Sequence, residues 1–391
     1  VKPRASFLVS FLILLMTTGC WDNNELDEYG YVQAVAIDRT KDNLIQLTTH
    51  FYNPTNKMGM EGGDNSAKKG INIETTGDTI FEAIRDIPMK FGRKPKWDHM
   101  RVILLGEQLA RTQNVREVLD YFSRDHEPRG TVLPLVAKGS ASNFLKIQPF
   151  IEQTIGQQLK KMETSGSHYS AKTSSIPLYE LAIQLKSPSK TSAIPYIHKS
   201  NSQNEAMVSG VAFIKDGKLV SLLKEKDTEA FMMLTNKYYS GILVFPCLGS
   251  AEAQGQVQNK ESLEVLSLDS RVTPKVTGNE VTVDVKIRIK GNIGELRCSL
   301  LKSKEDIQRF EERINNQVGQ QIKHVISIFK RQKLDAIGIG NQIYRKNPKL
   351  WKHLEPTWDK RFAQSSFHVE VETEVLNTGM NVGTPFGIKG K

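Results

Sequence analysis

The run Phe7 to Met16 (FLVSFLILLM) is almost wholly apolar, and Gly19-Cys20 follows it within a few residues. That arrangement takes the start of the chain out of any fold. Lys2 and Arg4 form a small positive leader, the apolar run comes next, and Thr17-Thr18-Gly19 supplies small residues before the cysteine. This is the layout of a secretory signal. A bilayer core needs roughly 20 apolar residues in helical form, and the run is about half that, so it directs export without spanning comfortably. The expectation is a signal peptide over 1–19 that is removed, followed by lipidation of Cys20. Two acyl chains on that thiol would hold the protein stably where one would not. Thr17 stands where such signals usually carry leucine.

The 391 residues suit two or three domains. Loss of Lys2 and Arg4 with the leader lowers the formal charge from +10 to +8. A basic exported lipoprotein is drawn toward anionic head groups, although a solvated basic surface accounts for the charge as well. Nucleic acid is not expected as a partner, since no long Lys/Arg block or aromatic-interleaved basic strand occurs. With Cys20 modified, Cys247 and Cys298 remain. Both lie in strand-like runs (GILVFPC and ELRCSL), which favours buried free thiols over the disulfide an exported protein can form.

The pattern beyond the tether, 20–28, divides in two. From Tyr29 onward, strand signals at 29–38, 43–51, 71–76, 100–105 and 131–137 interleave with helix signals at 78–90, 107–122, 141–161 and 176–185. Such alternation predicts a mixed sheet with helices packed on it. The stretch 53–70 is rich in Gly, Asn and Lys and reads as a loop. Breaks at 187–192 and 200–204 place a boundary, giving an N-terminal domain over 29–196 and a C-terminal domain over 206–380. The second half opens with strand signals at 208–214 and 219–223, joined through Asp216-Gly217, which supplies the positive φ of a hairpin turn. A short helix at 228–236 and strands at 241–246, 263–272 and 281–290 follow. Over 304–333, Ile307, Phe310, Ile314, Val318, Ile322 and Ile326 form one apolar stripe, with Ser303 as N-cap and Asp306 in the third position. A strictly alternating strand at 367–376 ends the pattern, before a Gly-rich tail. The expected class is α+β or mixed α/β and multi-domain: an N-terminal mixed sheet with helices, then a strand-rich domain packed on one long helix.

Catalytic patterns are missing from the sequence. There is no GxSxG, HExxH or Walker A loop, and His126-Glu127 has no following ligand histidine. The eight histidines are scattered. No catalytic residue, metal or cofactor is expected, and the chain reads as a non-enzyme. Trp351 and Trp358, near Asp335 and Arg345, read as core packing ahead of an exposed contact patch.

Three stretches resemble a known family. GCWDNNELDEYGYVQAVAID (19–38), GVAFIKDGKLV (210–220) and DAIGIGNQIYRKNPKLW (335–351) are similar, in order, to segments of the spore germination receptor C-subunit lipoproteins, the Ger(x)C family. The long loop 53–70 departs from the family pattern. The resemblance implies a membrane lipoprotein, palmitoylated at Cys20 and held at the outer face of the inner spore membrane. It implies a nutrient germinant receptor with two integral membrane subunits as partners, and a non-catalytic part in germination. A solute-binding lipoprotein of a transporter is the competing reading. It calls for two similar lobes, whereas this chain passes from helix-rich alternation to a strand-rich half.

Overall fold

The computed structural model describes residue 7 and residues 25–54, 70–200, 205–247, 260–278 and 280–377. Cys20, the leader around it, the central part of the expected loop 53–70 and the Gly-rich tail lie outside the described residues.

The first sheet is built on β1 (Tyr29–Arg39), which is buried almost without a break from Val32 to Asp38. A strand flanked on both sides and covered on both faces has no polar alternation to show. On one side β1 pairs antiparallel with β2 (Ile45–Tyr52), and β2 with β3 (Gly70–Gly77). On the other it pairs parallel with β5 (Val102–Gly106), which leads to β6 (Leu133–Ala137), β7 (Thr191–Lys199), β8 (Ala206–Lys215) and β9 (Lys218–Leu223). The short β4 (Lys94–Lys96) pairs with the first residues of β1. Alternate side chains enter different cores. Val35, Ile37, Ile103 and Leu105 face the layer holding helices Ile80–Arg85, Val115–Arg124 and Leu178–Leu185. Ala34, Ala36, Val102 and Leu104 face Phe144, Leu145 and helix Ile155–Ser165. The result is helix, sheet, helix.

Local chemistry shortens three expected helices. The signal at 78–90 yields two pieces, Ile80–Arg85 and Ile87–Phe91, with Pro88 opening the second. The signal at 107–122 breaks at Gln113-Asn114, where the Asn114 side chain accepts the Arg116 N–H and starts a new helix. Over 141–161 only a single turn at Ala141–Asn143 and the helix from Ile155 form, the latter capped by Thr154. Two strands, β4 and β7, escaped the pattern altogether. β7 falls in the segment expected to separate two domains, and it is hydrogen-bonded to β6 and β8 within one sheet.

The second sheet has the order β10 (Gly241–Pro246), β11 (Lys260–Thr277), β12 (Glu280–Glu295), β13 (Ser366–Asn377), and its last pair is parallel. The helix Lys304–Arg331 crosses its inner face, capped as the sequence predicts by a Ser303–Asp306 box. Val281, Val283, Val285, Ile287 and Ile289 point inward against Phe310, Ile314, Val318, Ile322 and Phe329. Each such side chain contributes about 1.5–3 kcal/mol by leaving water. The outer face carries Lys286–Glu370, Arg288–Glu372 and Lys290–Glu374, three ion pairs in register across β12 and β13. The observed class is the mixed, multi-domain α/β one expected from composition and period.

The hairpin β8–β9 turns through Asp216 (φ 49°) and Gly217 (φ 85°), as its sequence predicts, and belongs to both cores. Ala212, Ile214 and Leu219 pack into the first. Val211, Phe213 and Leu223 pack into the second, where the Phe213 ring lies edge-on to Phe231 and Phe329 at 5.2 and 5.3 Å. Lys215 also reaches the Lys333 carbonyl and the Asp359 carboxylate.

The cysteines correct the sequence reading. Cys247 and Cys298 form a disulfide with Cα atoms 6.1 Å apart. ELRCSL is not a buried strand at its cysteine: β12 ends at Glu295, and Cys298 sits exposed in the following turn, beside the end of β10.

Candidate functional site

Four carboxylates are buried among the described residues, and they show where polar chemistry is concentrated. Burying a charge is costly unless its oxygens find donors. Asp335 is 2% exposed and accepts N–H groups of Gly338, Ile339 and Gly340 at 2.9, 2.9 and 2.7 Å. The Trp358 indole N–H donates to it at 3.0 Å. Burial pushes its pKa up, and the four donors oppose that shift. Gly340 is required by contact, since a Cβ there would sit 2.6 Å from the Trp351 ring. Trp351 and Trp358 meet edge-to-face at 5.2 Å and are buried, so this cluster is core, as expected.

Asp38, at the end of β1, accepts the Ala141 and Ser142 N–H groups at 2.8 and 2.9 Å and the Ser140 hydroxyl at 2.9 Å. It pins the turn at 140–143 to the sheet. Glu261 does the same for the turn after β12. It accepts the N–H groups of Arg297, Cys298 and Ser299, the Ser299 hydroxyl, and the Arg313 guanidinium at 3.0 Å. Burial alone would raise its pKa; these donors outweigh burial and lower it. Glu163, on helix Ile155–Ser165, is fully buried, with neither oxygen in hydrogen-bonding geometry. The Ser175 hydroxyl and Ile176 amide are its polar neighbours, and burial drives its pKa well up.

The surface concavities include two lined by ion pairs. One, of about 580 Å³, lies between helix Glu225–Leu234, the long helix and β10. Glu229 lines it, its carboxyl pushed up to about 7 by burial, with Lys172 and Glu225 ion-paired at 2.9 Å beside it. The other, about 330 Å³, lies where the two cores meet. Ser174, Thr191, Ser192 and Thr235 line it, along with the Lys237–Glu180 ion pair at 2.8 Å.

This geometry holds loops in place. Asp38, Glu261 and Asp335 spend their oxygens on backbone amides, and Glu127 spends its own on Lys96 and the Trp97 N–H. His50 is buried with Nδ1 2.6 Å from Asn72 Oδ1, and burial lowers its pKa, favouring the neutral ring. Cys20, the site residue expected from the sequence, lies outside the described residues. Of the four buried carboxylates, Asp335 alone was singled out in the sequence, within the Trp351 and Trp358 cluster. Two had a readable signal: Asp38 ends an otherwise apolar strand, and Asp335 precedes Gly338 and Gly340, the spacing at which one carboxylate can collect successive amides.

Known proteins share this organisation. Residues 22–199 match the family model "Spore germination protein N-terminal domain". Residues 209–379 match "Spore germination B3/ GerAC like, C-terminal". Spore germination protein KC of Bacillus subtilis (strain 168) is 26% identical over 395 residues, covering 95% of each chain. Spore germination protein B3 of the same organism is 25% identical over 388 residues, covering 97% of this chain and 99% of its own. Among solved structures, that of the GerBC protein superposes with a TM-score of 0.57 at 22% identity, covering 88% of this chain and 97% of its own. The fold is therefore shared along nearly the whole length.

Proposed function

The chain belongs to the Ger(x)C family of spore germination proteins, and from that premise we propose that it is the lipid-anchored, non-catalytic subunit of a nutrient germinant receptor. It is tied through Cys20 to the outer face of the inner spore membrane. It works there with two integral membrane subunits, in assembly or in signalling. The observation that carries the reading is the end-to-end match to curated spore germination proteins. The leader that ends at Gly19-Cys20 supports the anchor. No helix among the described residues is long and apolar enough to cross a membrane. Tethering raises the effective concentration of the folded body near membrane partners without any new contact.

Asp38, Glu261 and Asp335 spend their oxygens on backbone amides of turns, which agrees with a structural use of these carboxylates. The same reading divides the chain into units over 29–196 and 206–380, with the hairpin β8–β9 shared between their cores.

Crosslinking of intact spore membranes, followed by pull-down through this chain and mass spectrometry, tests the proposal. Two integral membrane proteins are expected in stoichiometric yield. Recovery of the chain alone under efficient crosslinking would overturn the complex.

A further inference from the structure

Outside the leader, three large apolar side chains are more than three-quarters exposed among the described residues: Leu26 at 78%, Met89 at 77% and Ile151 at 88%. They come from separate parts of the sequence, yet each belongs to a segment that meets the first residues of β1. Leu26 lies in the turn Leu26–Glu28 that runs directly into Tyr29. Met89 is on the helix Ile87–Phe91, whose Phe91 ring stacks on Phe51 at 4.2 Å and abuts Gly30. Ile151 is in the segment before helix Ile155–Ser165. There Gln153 and Gln157 line a small concavity with Tyr31 and His99, and Gly156 lies against the Gln33 backbone. Phe150, 66% exposed, adjoins Ile151.

The same end of the sheet receives the tether. Glu25 is five residues beyond Cys20, so a fully extended chain places its Cα at most about 18 Å from the Cα of Cys20. An acylated Cys20 sits at the head-group level. Whatever path the intervening residues take, Glu25, which opens the turn leading into β1, is held within about 20 Å of the bilayer.

Resting on the lipid-anchored reading above, we propose that this end of the first sheet lies against the bilayer, with Leu26, Met89 and Ile151 entering the head-group region of a lipid surface. Single exposed apolar residues are ordinary on proteins. Three of the most exposed ones gathered at the tether point are a membrane contact of the monotopic kind, in which apolar side chains sink a few ångströms below the phosphates. Charge does not drive the contact. Lys90, Arg93, Lys94, Lys96 and Arg101 stand at this end, but so do Glu25, Asp27, Glu28, Asp98, Glu127 and Glu152. Attachment by this face is therefore apolar and weakly dependent on salt. It leaves the 580 Å³ concavity and the charged outer face of the second sheet for other partners.

The chain's own chemistry makes a direct test available. With Cys20 acylated and Cys247 joined to Cys298, a new cysteine is the sole reactive thiol. Full-length acylated protein carrying Met89→Cys, Ile151→Cys or, as control, Lys286→Cys is labelled with an environment-sensitive fluorophore. It is then reconstituted into vesicles of phosphatidylethanolamine and phosphatidylglycerol that bear a nitroxide at the head group. Blue-shifted emission and nitroxide quenching at positions 89 and 151, with neither at 286, are expected. Aqueous emission without quenching at 89 and 151 would overturn the orientation, as would quenching at 286 instead. The mass of the N-terminal peptide, read on the same samples, shows independently whether Cys20 is acylated. An acylated peptide with unquenched labels defeats the orientation alone, and an unmodified peptide defeats the anchor as well.

Discussion

The carboxylate of Asp335 receives the indole N–H of Trp358 at 3.0 Å, from 23 residues further along the chain. Three successive amides complete its shell, so one side chain fixes the start of helix Ile339–Lys346 and the helix Trp358–Gln364 together. Asp335→Ala leaves four buried donors without an acceptor. Each such loss costs about 1–3 kcal/mol before relaxation, and a drop of at least about 3 kcal/mol in urea unfolding is expected. Asp335→Asn retains part of the acceptor and falls between. A change in either variant no larger than that of an exposed aspartate would contradict this role.

The disulfide closes 51 residues around β11 and β12. A loop of that length corresponds to about 4 kcal/mol of denatured-state constraint. Reduction, or Cys298→Ser, should therefore lower the urea midpoint markedly. A thiol titration of unfolded, unreduced protein should find neither Cys247 nor Cys298 reactive. Equal midpoints with and without reductant would show that the bond contributes nothing.

Glu229 gives stability a dependence on pH near neutrality. Its carboxyl titrates at about 7 when folded, against 4.5 ordinarily, because burial outweighs the nearby Lys172 and Glu225 adds repulsion. The folded state thus holds the proton more tightly than the unfolded chain. The associated stability is complete below about pH 4.5 and is lost as pH rises through about 7. Glu163, raised by full burial, acts in the same direction. Glu229→Gln should flatten thermal stability against pH over that window, by about 1–2 kcal/mol once its partial exposure is allowed for. Glu163→Gln should raise the melting temperature at alkaline pH and leave it little changed in acid. An unaltered slope in Glu229→Gln would show that the carboxyl titrates normally.

The ladder Lys286–Glu370, Arg288–Glu372, Lys290–Glu374 sets register more than stability. All six side chains are more than half exposed. Arg288→Ala should cost less than about 1 kcal/mol in low salt, and less still in high salt. A loss of several kcal/mol would mean that the ladder carries the sheet.

Elements whose pattern is carried by side chains alone were legible in the sequence. The stripe from Phe310 to Ile326, its Ser303 cap and the Asp216-Gly217 hairpin all form where periodicity and turn chemistry place them. What stayed hidden depends on contacts between distant residues. β7 carries Pro195 and follows a Ser-rich stretch, and it is a strand because β6 and β8 hold it on both sides. The helix signals at 78–90 and 107–122 had the right faces, but Pro88 and Asn114 each start a new helix within them. Cys247 and Cys298 read as thiols in strands because nothing local shows that β12 stops at Glu295 and turns back toward β10. The family-like stretches were readable as resemblance, and the structure supplies their physical content: Asp38, the shared hairpin and Asp335 each fix a turn or join the two cores.

Fractionation of dormant spores carrying Cys20→Ala tests the central claim most directly. The wild-type chain should sediment with the inner membrane and show an acylated N-terminal peptide, whereas the variant should appear in the soluble fraction, with slower germination on the cognate nutrient. A variant that stays wholly with the membrane and germinates at the wild-type rate would contradict the account.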